Sequence, residues 1–394
     1  MHPPEEARQT KPRRYQLTKE AVSILKSGHP WIFRRRVSSA ATVFPNGQWL
    51  RLVDGANQVV GYGFYHDVGA IAVRVLSQGT EPPGVEWVRT LVRAALDRRT
   101  VLRRETGAFR AIHGENDGLS AVTADVYSGV AVVSSYARGA DPVARLCARL
   151  LRQELPLAGV LWKPGSRRHD ETSGTRTLFG KVPERVQFLE DNQAITVAPH
   201  WGQKSGSFLD LRGLRRFLRT AEIPGASVLD LFSYSGTLGA AAEIAGASRI
   251  WHVDSSRAAL DLGAEAHFLD PEKHRFTEAD VFEWLPALAP EELFDLAIAD
   301  PPSMTSRTAQ VPKVLRTYET FYRNLGMHVK PGGMVVACCC TSRVDADVFL
   351  VTVRRALGRD FRFLKRLPPE PDHPVGFKEA DYLKILLFRR KLSS

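Results

Sequence analysis

The stretch VVACCCTSRV, residues 335–344, holds three of the chain's four cysteines, Cys338, Cys339 and Cys340, in consecutive positions. Adjacent α-carbons lie about 3.8 Å apart, short of the roughly 4.4–6.8 Å that a relaxed disulfide spans, so a bridge within the run would be strained. A tetrahedral zinc site wants ligands at C-x2-4-C spacing with a second pair elsewhere, and only Cys147 remains, in the helical pattern DPVARLCARLL. No metal site is expected. The plainest reading is a set of small buried hydrophobes in a core strand; the alternative is thiols placed for chemistry, and the neighbours must decide.

Aspartates closing successive strand-like runs point to a ligand. The run SVLDLF leads into SYSGTLG, a turn with only Gly236 and Gly239, which lacks the G-x-G-x-x-G that admits a pyrophosphate to a helix N-terminus. Asp230 repels a pyrophosphate and suits a cation such as the sulfonium and ammonium of S-adenosylmethionine. Asp254 closes WHVD, where a carboxylate can accept both hydroxyls of a ribose, and Asp280 closes TEAD, within reach of an adenine amine. Any one of these alone reads more simply as a helix N-cap. Three at successive strand ends favour the cofactor. The fourth run ends IADPPS, and Asp300, Pro301 and Pro302 make either an ordinary strand-ending turn or a rigid wall of carbonyls beside a planar base.

The elements that must position these groups are legible as an alternation. SVLDLF, SRIWHVD, RFTEAD, FDLAIAD, GMVVACCC, FRFLKRL and YLKILLFRR read as strands separated by helical patterns, which implies an α/β, seven-stranded doubly wound sheet over residues 191–394, with ligands beyond the strands' carboxyl ends. Residues 1–14 are polar and Pro-rich and are expected to be a disordered tail. Residues 15–80 hold three strand-like runs, QWLRLVDG, QVVGYGFYH and AIAVRVLS, as in a small antiparallel barrel, preceded by SGHPWIFRRRV. There Trp31 adjoins Arg34, Arg35 and Arg36, either a core aromatic beside a solvated basic edge or a stacking platform beside phosphate-holding arginines. Residues 81–190 mix Arg-rich helices with two strands, LSAVTADVY and GVAVVSSY, as a middle α+β domain, and IHGENDGLS within it reads as an ordinary loop.

The formal net charge of +11 favours a polyanionic partner. No apolar run approaches the roughly 18 residues of a membrane span and the start lacks the apolar stretch of a signal peptide, so a cytoplasmic protein with reduced thiols and no membrane partner is expected.

In the order HPWIF, GYGFYH, IAVRVLS, IHGENDGL, GQKSGSFLDLR, VLDLFSYSG, ADPPS, the Cys run, DHPV and DYLK, nearly the whole chain resembles the bacterial 23S rRNA 5-methylcytosine methyltransferases of the class I, S-adenosylmethionine-dependent type, with an N-terminal PUA domain. The resemblance implies a PUA-like β-barrel, a middle α+β domain and a C-terminal catalytic domain acting on RNA. It places Asp230, Gly236, Asp254, Asp280 and Asp300 around the cofactor, with Phe232, Ser235 and Ser255 beside them. Lys204, Phe208, Asp210 and Arg212 would form a loop that closes over it. The chain departs from the family's usual T-G-G and D-P-P-K-F, carrying Ser235, Gly236 and Thr237 in the first turn and Ser303 and Met304 after the second proline.

Carbon 5 of cytosine is a poor nucleophile, and thiolate addition to carbon 6 turns the ring into an enamine. Strand alternation puts Cys338 and Cys340 on one face and Cys339 on the other, and the strand's carboxyl end favours Cys340 as nucleophile, with Cys338 as runner-up. Asp300 would hydrogen-bond the ring. The expected partner is protein-free 23S rRNA, with a homodimer left open. Two competing readings are an N-methyltransferase that uses the Asp-Pro-Pro turn without a thiol, and a PUA-bearing RNA-binding protein without catalysis.

Overall fold

The computed structural model describes residues 11–37, 44–67, 69–164 and 174–392. It divides into two compact units, one of Met1–Glu190, Val197–Ser207 and Pro371–His373, the other of Asp191–Thr196, Phe208–Glu370 and Pro374–Ser394. Among the described residues no helix is long and apolar enough to cross a membrane.

In the first unit the three expected runs are the antiparallel strands Trp49–Val53, Val59–Tyr65 and Ile71–Gln78. Two more flank them: Trp31–Phe33 pairs antiparallel with Ile71–Gln78, and Arg13–Gln16 pairs parallel with Trp49–Val53. Leu50, Leu52, Val73 and Val75 point inward and close a core with Leu25. The expected tail needs correcting where it is described. Residues 1–10 lie outside the described residues, but Arg13 and Arg14 pair with Leu50 and Arg51, because Tyr15 and Leu17 bury in the barrel core and draw the preceding backbone into register.

The middle segment holds a second five-stranded sheet, in which Ala108–His113, Arg176–Gly180 and Gly159–Lys163 join Val122–Tyr127 and Val130–Ser135. The segment expected to be a loop at 112–120 is instead a strand end and a 3-10 turn, Gly114–Asp117, with Ile112 and Leu119 in the hydrophobic core.

The second unit is a seven-stranded sheet of β1 (Ser227–Leu231), β2 (Arg249–Asp254), β3 (His274–Glu278), β4 (Phe294–Ala299), β5 (Val329–Cys339), β6 (Phe361–Leu367) and β7 (Lys384–Arg390), in the order β3-β2-β1-β4-β5-β7-β6. β1 to β5 run parallel, and β7 inserts antiparallel to both β5 and β6. Strands buried on both faces read as near-continuous apolar runs, which is why β1, β4 and β5 were legible. Alternate residues feed two cores. Val228, Ile298, Val336 and Cys338 pack with Leu214, Leu218, Leu238 and Ala241, while Leu229, Ala299, Ala337 and Cys339 pack with Tyr318, Tyr322, Phe349 and Val353. Helices therefore cover both faces, and the strand order reverses between β1 and β4, where ligands of such sheets bind.

Candidate active site

The cysteine run divides as strand alternation requires. Cys338 and Cys339 are fully buried on opposite faces of β5, and Cys340, one residue past the strand, is half-buried. Burial, reinforced by Asp300 and by the neighbouring thiols, pushes the Cys338 thiol well above the usual range. That makes Cys338 a packing residue. Cys339 receives the Tyr318 hydroxyl at 3.4 Å within the other core.

Cys340 is held against the Asp-Pro-Pro turn. β4 and β5 are parallel neighbours, with Ala299 paired to Ala337, so the turn after Ala299 and the residues after Cys339 leave the sheet side by side. The Cys340 thiol donates to the Pro301 carbonyl at 3.4 Å, and Met304 N–H donates to Thr341 Oγ1 at 3.2 Å, tying the two segments together. Behind them, Lys384 sits opposite Cys339 in the β5–β7 ladder and donates from Nζ to the carbonyls of Thr341 at 3.0 Å and Tyr382 at 2.8 Å. It is fully buried, and among the described residues no carboxylate forms an ion pair with it. Burial lowers its pKa, against the pull of Cys339, Asp381 and Cys340. Sequence reasoning missed Thr341 and Lys384 as individuals, although both lie in the motifs CCCTSRV and DYLK.

The turn after β1 is left-handed at three positions, Phe232 (φ 59°), Tyr234 (φ 50°) and Gly236 (φ 70°). Conformations of this kind persist where surrounding contacts fix them, commonly at ligand sites. Asp254 supplies one such contact, accepting from Tyr234 N–H and Ser256 N–H at 2.8 Å each. Burial is the largest influence on the Asp254 carboxyl and raises its pKa. Phe232 packs on Phe282 and Phe321, Ser235 is buried, and Ser255 is exposed beside Asp254. Asp230 is fully buried beneath the turn, its Oδ2 accepting from Gly239 N–H at 3.2 Å, while Oδ1 has no partner among the described residues. Asp280 is exposed and caps helix Val281–Trp284 through Phe282 N–H, so the simpler N-cap reading is realised there.

An orphaned buried carboxylate oxygen, a second desolvated carboxylate at the next strand end and a turn without a pyrophosphate cradle fit a cationic nucleoside. Asp230, Asp254 and the Phe232–Gly236 turn would hold it. Of the segment expected to close over the cofactor, Lys204 belongs to the first unit, while Phe208, Asp210 and Arg212 belong to the second. There Phe208 stands edge-on to Tyr234 at 5.3 Å, Asp210 accepts from the Tyr382 hydroxyl at 2.6 Å, and Arg212 is buried against Glu370 at 3.0 Å.

Three of the four candidate RNA residues, Trp31, Arg34 and Arg36, have partners within the first unit. Trp31 Nε1–H donates to Glu115 at 2.8 Å, and Arg34 donates to the Gly69 carbonyl and the Tyr65 hydroxyl. Arg36 pairs with Glu20, and Arg35 is exposed.

Comparison with known proteins agrees with this geometry. The model of the S-adenosylmethionine-dependent methyltransferase family matches residues 116–389, and that of a PUA-like domain matches residues 16–78. A ribosomal RNA large subunit methyltransferase of Deinococcus radiodurans is 30% identical over 398 residues, covering 95% of this chain and 97% of the relative. Ribosomal RNA large subunit methyltransferase I of Shewanella amazonensis is 31% identical over 378 residues, covering 92% and 95%. The fold is that of a protein provisionally identified as a methyltransferase and solved with SAH, with a TM-score of 0.84 at 23% identity, over 96% of this chain and 100% of the other.

Proposed function

Because the chain belongs to the S-adenosylmethionine-dependent methyltransferase family, we propose that it methylates carbon 5 of a cytosine in 23S rRNA through a transient bond between Cys340 and carbon 6. One observation carries the choice of thiol. Of three adjacent cysteines, only Cys340 is not fully buried, and it lies against the Pro301 carbonyl of the Asp-Pro-Pro turn.

The chemistry follows from that placement. The thiolate of Cys340 attacks carbon 6, the C5–C6 π pair moves onto carbon 5, and Asp300 holds the pyrimidine ring by a hydrogen bond as its charge redistributes. S-adenosylmethionine, when bound, supplies the electrophilic methyl group that carbon 5 attacks. Loss of the carbon 5 proton to solvent water then returns an electron pair to the C5–C6 bond and expels the thiolate from carbon 6. Fixing Cys340 and the base against one rigid turn removes much of the entropic part of the barrier. The target base must leave its stack, at a cost of a few kcal/mol in a duplex and less in an unfolded segment, so protein-free rRNA is the substrate this mechanism favours. The PUA-like domain and the net charge of +11 suit that polyanion.

The direct test incubates the protein with S-adenosylmethionine and protein-free 23S rRNA and maps the product by mass spectrometry. Methyl on carbon 5 of cytosine supports the reading, whereas methyl on an exocyclic amine replaces it with the N-methyltransferase alternative.

Two further outcomes bear on the site. Asp254→Ala should weaken S-adenosylmethionine binding by about 1.5–3 kcal/mol in a calorimetric titration, since it removes a charged acceptor and frees two backbone N–H groups of the turn. Unchanged affinity would take Asp254 out of the cofactor site. Lys384→Met should raise the Cys340 thiol pKa and slow its alkylation at neutral pH, on the order of tenfold if the thiol then titrates one pH unit higher. An unaltered alkylation rate would leave Lys384 only its role as a clamp on the Thr341 and Tyr382 carbonyls.

A further inference from the structure

Beneath the cofactor turn, four buried ionisable side chains are joined end to end. Asp230 of β1, His252 of β2 and His274 of β3 lie across adjacent parallel strands, and Glu243 faces His274 from helix Thr237–Ile244. Asp230 Oδ2 is 3.0 Å from His252 Nδ1, His252 Nε2 is 2.9 Å from His274 Nδ1, and His274 Nε2 is 3.2 Å from Glu243 Oε2. Their side chains are at most 1% exposed. Glu243 is anchored as a carboxylate by Leu269 N–H at 2.9 Å and Asp270 N–H at 2.7 Å. Phe268 stacks on His274 at 3.9 Å.

The glycines of the turn serve this arrangement. A β-carbon at Gly239 would lie 2.2 Å from His252 Cε1, and one at Gly236 would lie 3.0 Å from it.

Counting protons gives the chain its property. Three gaps separate the four groups, and two neutral imidazoles carry only two N–H donors. With Asp230 and Glu243 both ionised, the two protons fill the Asp230–His252 and His252–His274 gaps. The His274–Glu243 gap is left as lone pair against carboxylate. It is the longest of the three, and His274 Nε2 there has no hydrogen-bond partner among the described residues. A third proton would fill it and reduce the net charge of the chain from two negative to one.

We propose that His252 and His274 are positioning residues for the cofactor: the relay aims Asp230 with Oδ1 open, and a proton entering at the His274–Glu243 end competes with the positive charge of S-adenosylmethionine. Binding of the cofactor and uptake of that proton therefore oppose one another, and cofactor affinity falls with pH in the acid range where His274 takes up the proton. The groups facing the relay agree with this sign. Burial and then His252 lower the His274 pKa to about 4, opposed by Glu243 and Asp230, so the third proton is absent at neutral pH. Asp254, whose pKa Asp230 helps to raise, adds to the negative field, and burial keeps His267 neutral nearby. The inference rests on cofactor binding alone and involves neither cytosine nor a thiol, so it stands or falls separately from the C5 mechanism.

The experiment is calorimetric titration of the full chain with S-adenosylmethionine, from neutral pH down to about pH 4, in two buffers of different ionisation enthalpy. Wild type is expected to release protons on binding in the acidic range and to lose up to about tenfold in affinity per pH unit there. His274→Gln, which cannot take up the proton, is expected to bind with an affinity that varies less with pH. A wild-type protein whose binding releases no protons across the range overturns the proposal, whether or not the variant folds. So does a His274→Gln protein with an unchanged pH profile.

Discussion

Replacing Cys340 by alanine is expected to abolish methyl transfer and to remove the covalent adduct that RNA carrying 5-fluorocytosine otherwise traps. Fluorine at carbon 5 cannot leave as a proton does, so the bond from carbon 6 to sulfur persists once the methyl group has been accepted. Wild type and Cys339→Ala should both form the adduct, because Cys339 points into the core shared with Tyr318 and Phe349. Cys338→Ala should form it too, since a thiol that is fully buried in the core on the face opposite Cys339 and has its pKa driven up by burial offers little thiolate. Peptide mapping of the trapped complex decides the assignment. An adduct on Cys338 would move the nucleophile two positions back, and an active enzyme that traps nothing would favour transfer to an exocyclic amine.

The cysteine question shows what a sequence can and cannot carry. Strand periodicity alone separates Cys339 from its neighbours, and the buried faces of β5 follow that alternation. The strand's carboxyl end already favoured Cys340 over Cys338, but the placement of Cys340 against the turn of β4 was not legible. That depends on register between strands 30 or more residues apart, which no local pattern encodes. The same reason hid the histidine relay. His252 stands in the strand-end run WHVD without a local signal of its role, because its meaning lies in its alignment with Asp230 on one side and His274 on the other. Gly236 and Gly239 were legible as turn glycines, but the contacts that require small residues there are with His252 and, at Gly236, also with Phe268. At the barrel, the sequence left two readings open. A Trp beside three arginines reads as a core aromatic at a basic edge or as a base-stacking platform, and it gives no sign that Trp31 and Arg34 direct donors to Glu115, Gly69 and Tyr65.

Asp117 is the residue whose loss should cost the fold most. It lies in the turn-rich GENDG, yet it is 2% exposed and faces Arg99, itself 1% exposed, through two parallel contacts of 2.8 Å. Asp117 also accepts from His113 N–H at 2.6 Å, so it fixes the end of strand Ala108–His113 against helix Val85–Arg98. Arg99 directs its remaining donors to the carbonyls of Ala95, Arg110 and Asp372, and Asp372 in turn accepts from Arg110 N–H at 2.8 Å. Asp117→Ala leaves a dehydrated guanidinium without its counter-charge, a change that costs about 3–5 kcal/mol in buried pairs. Native domains are stable by only about 5–15 kcal/mol, so the first unit should show a markedly lower denaturant midpoint. Removing both charges together, in Arg99→Met with Asp117→Ala, should recover part of the loss, since no uncompensated ion then remains buried. A single variant that unfolds at the wild-type midpoint would mean that water or a rearranged neighbour satisfies Arg99, and the hub would then be no more than a local turn.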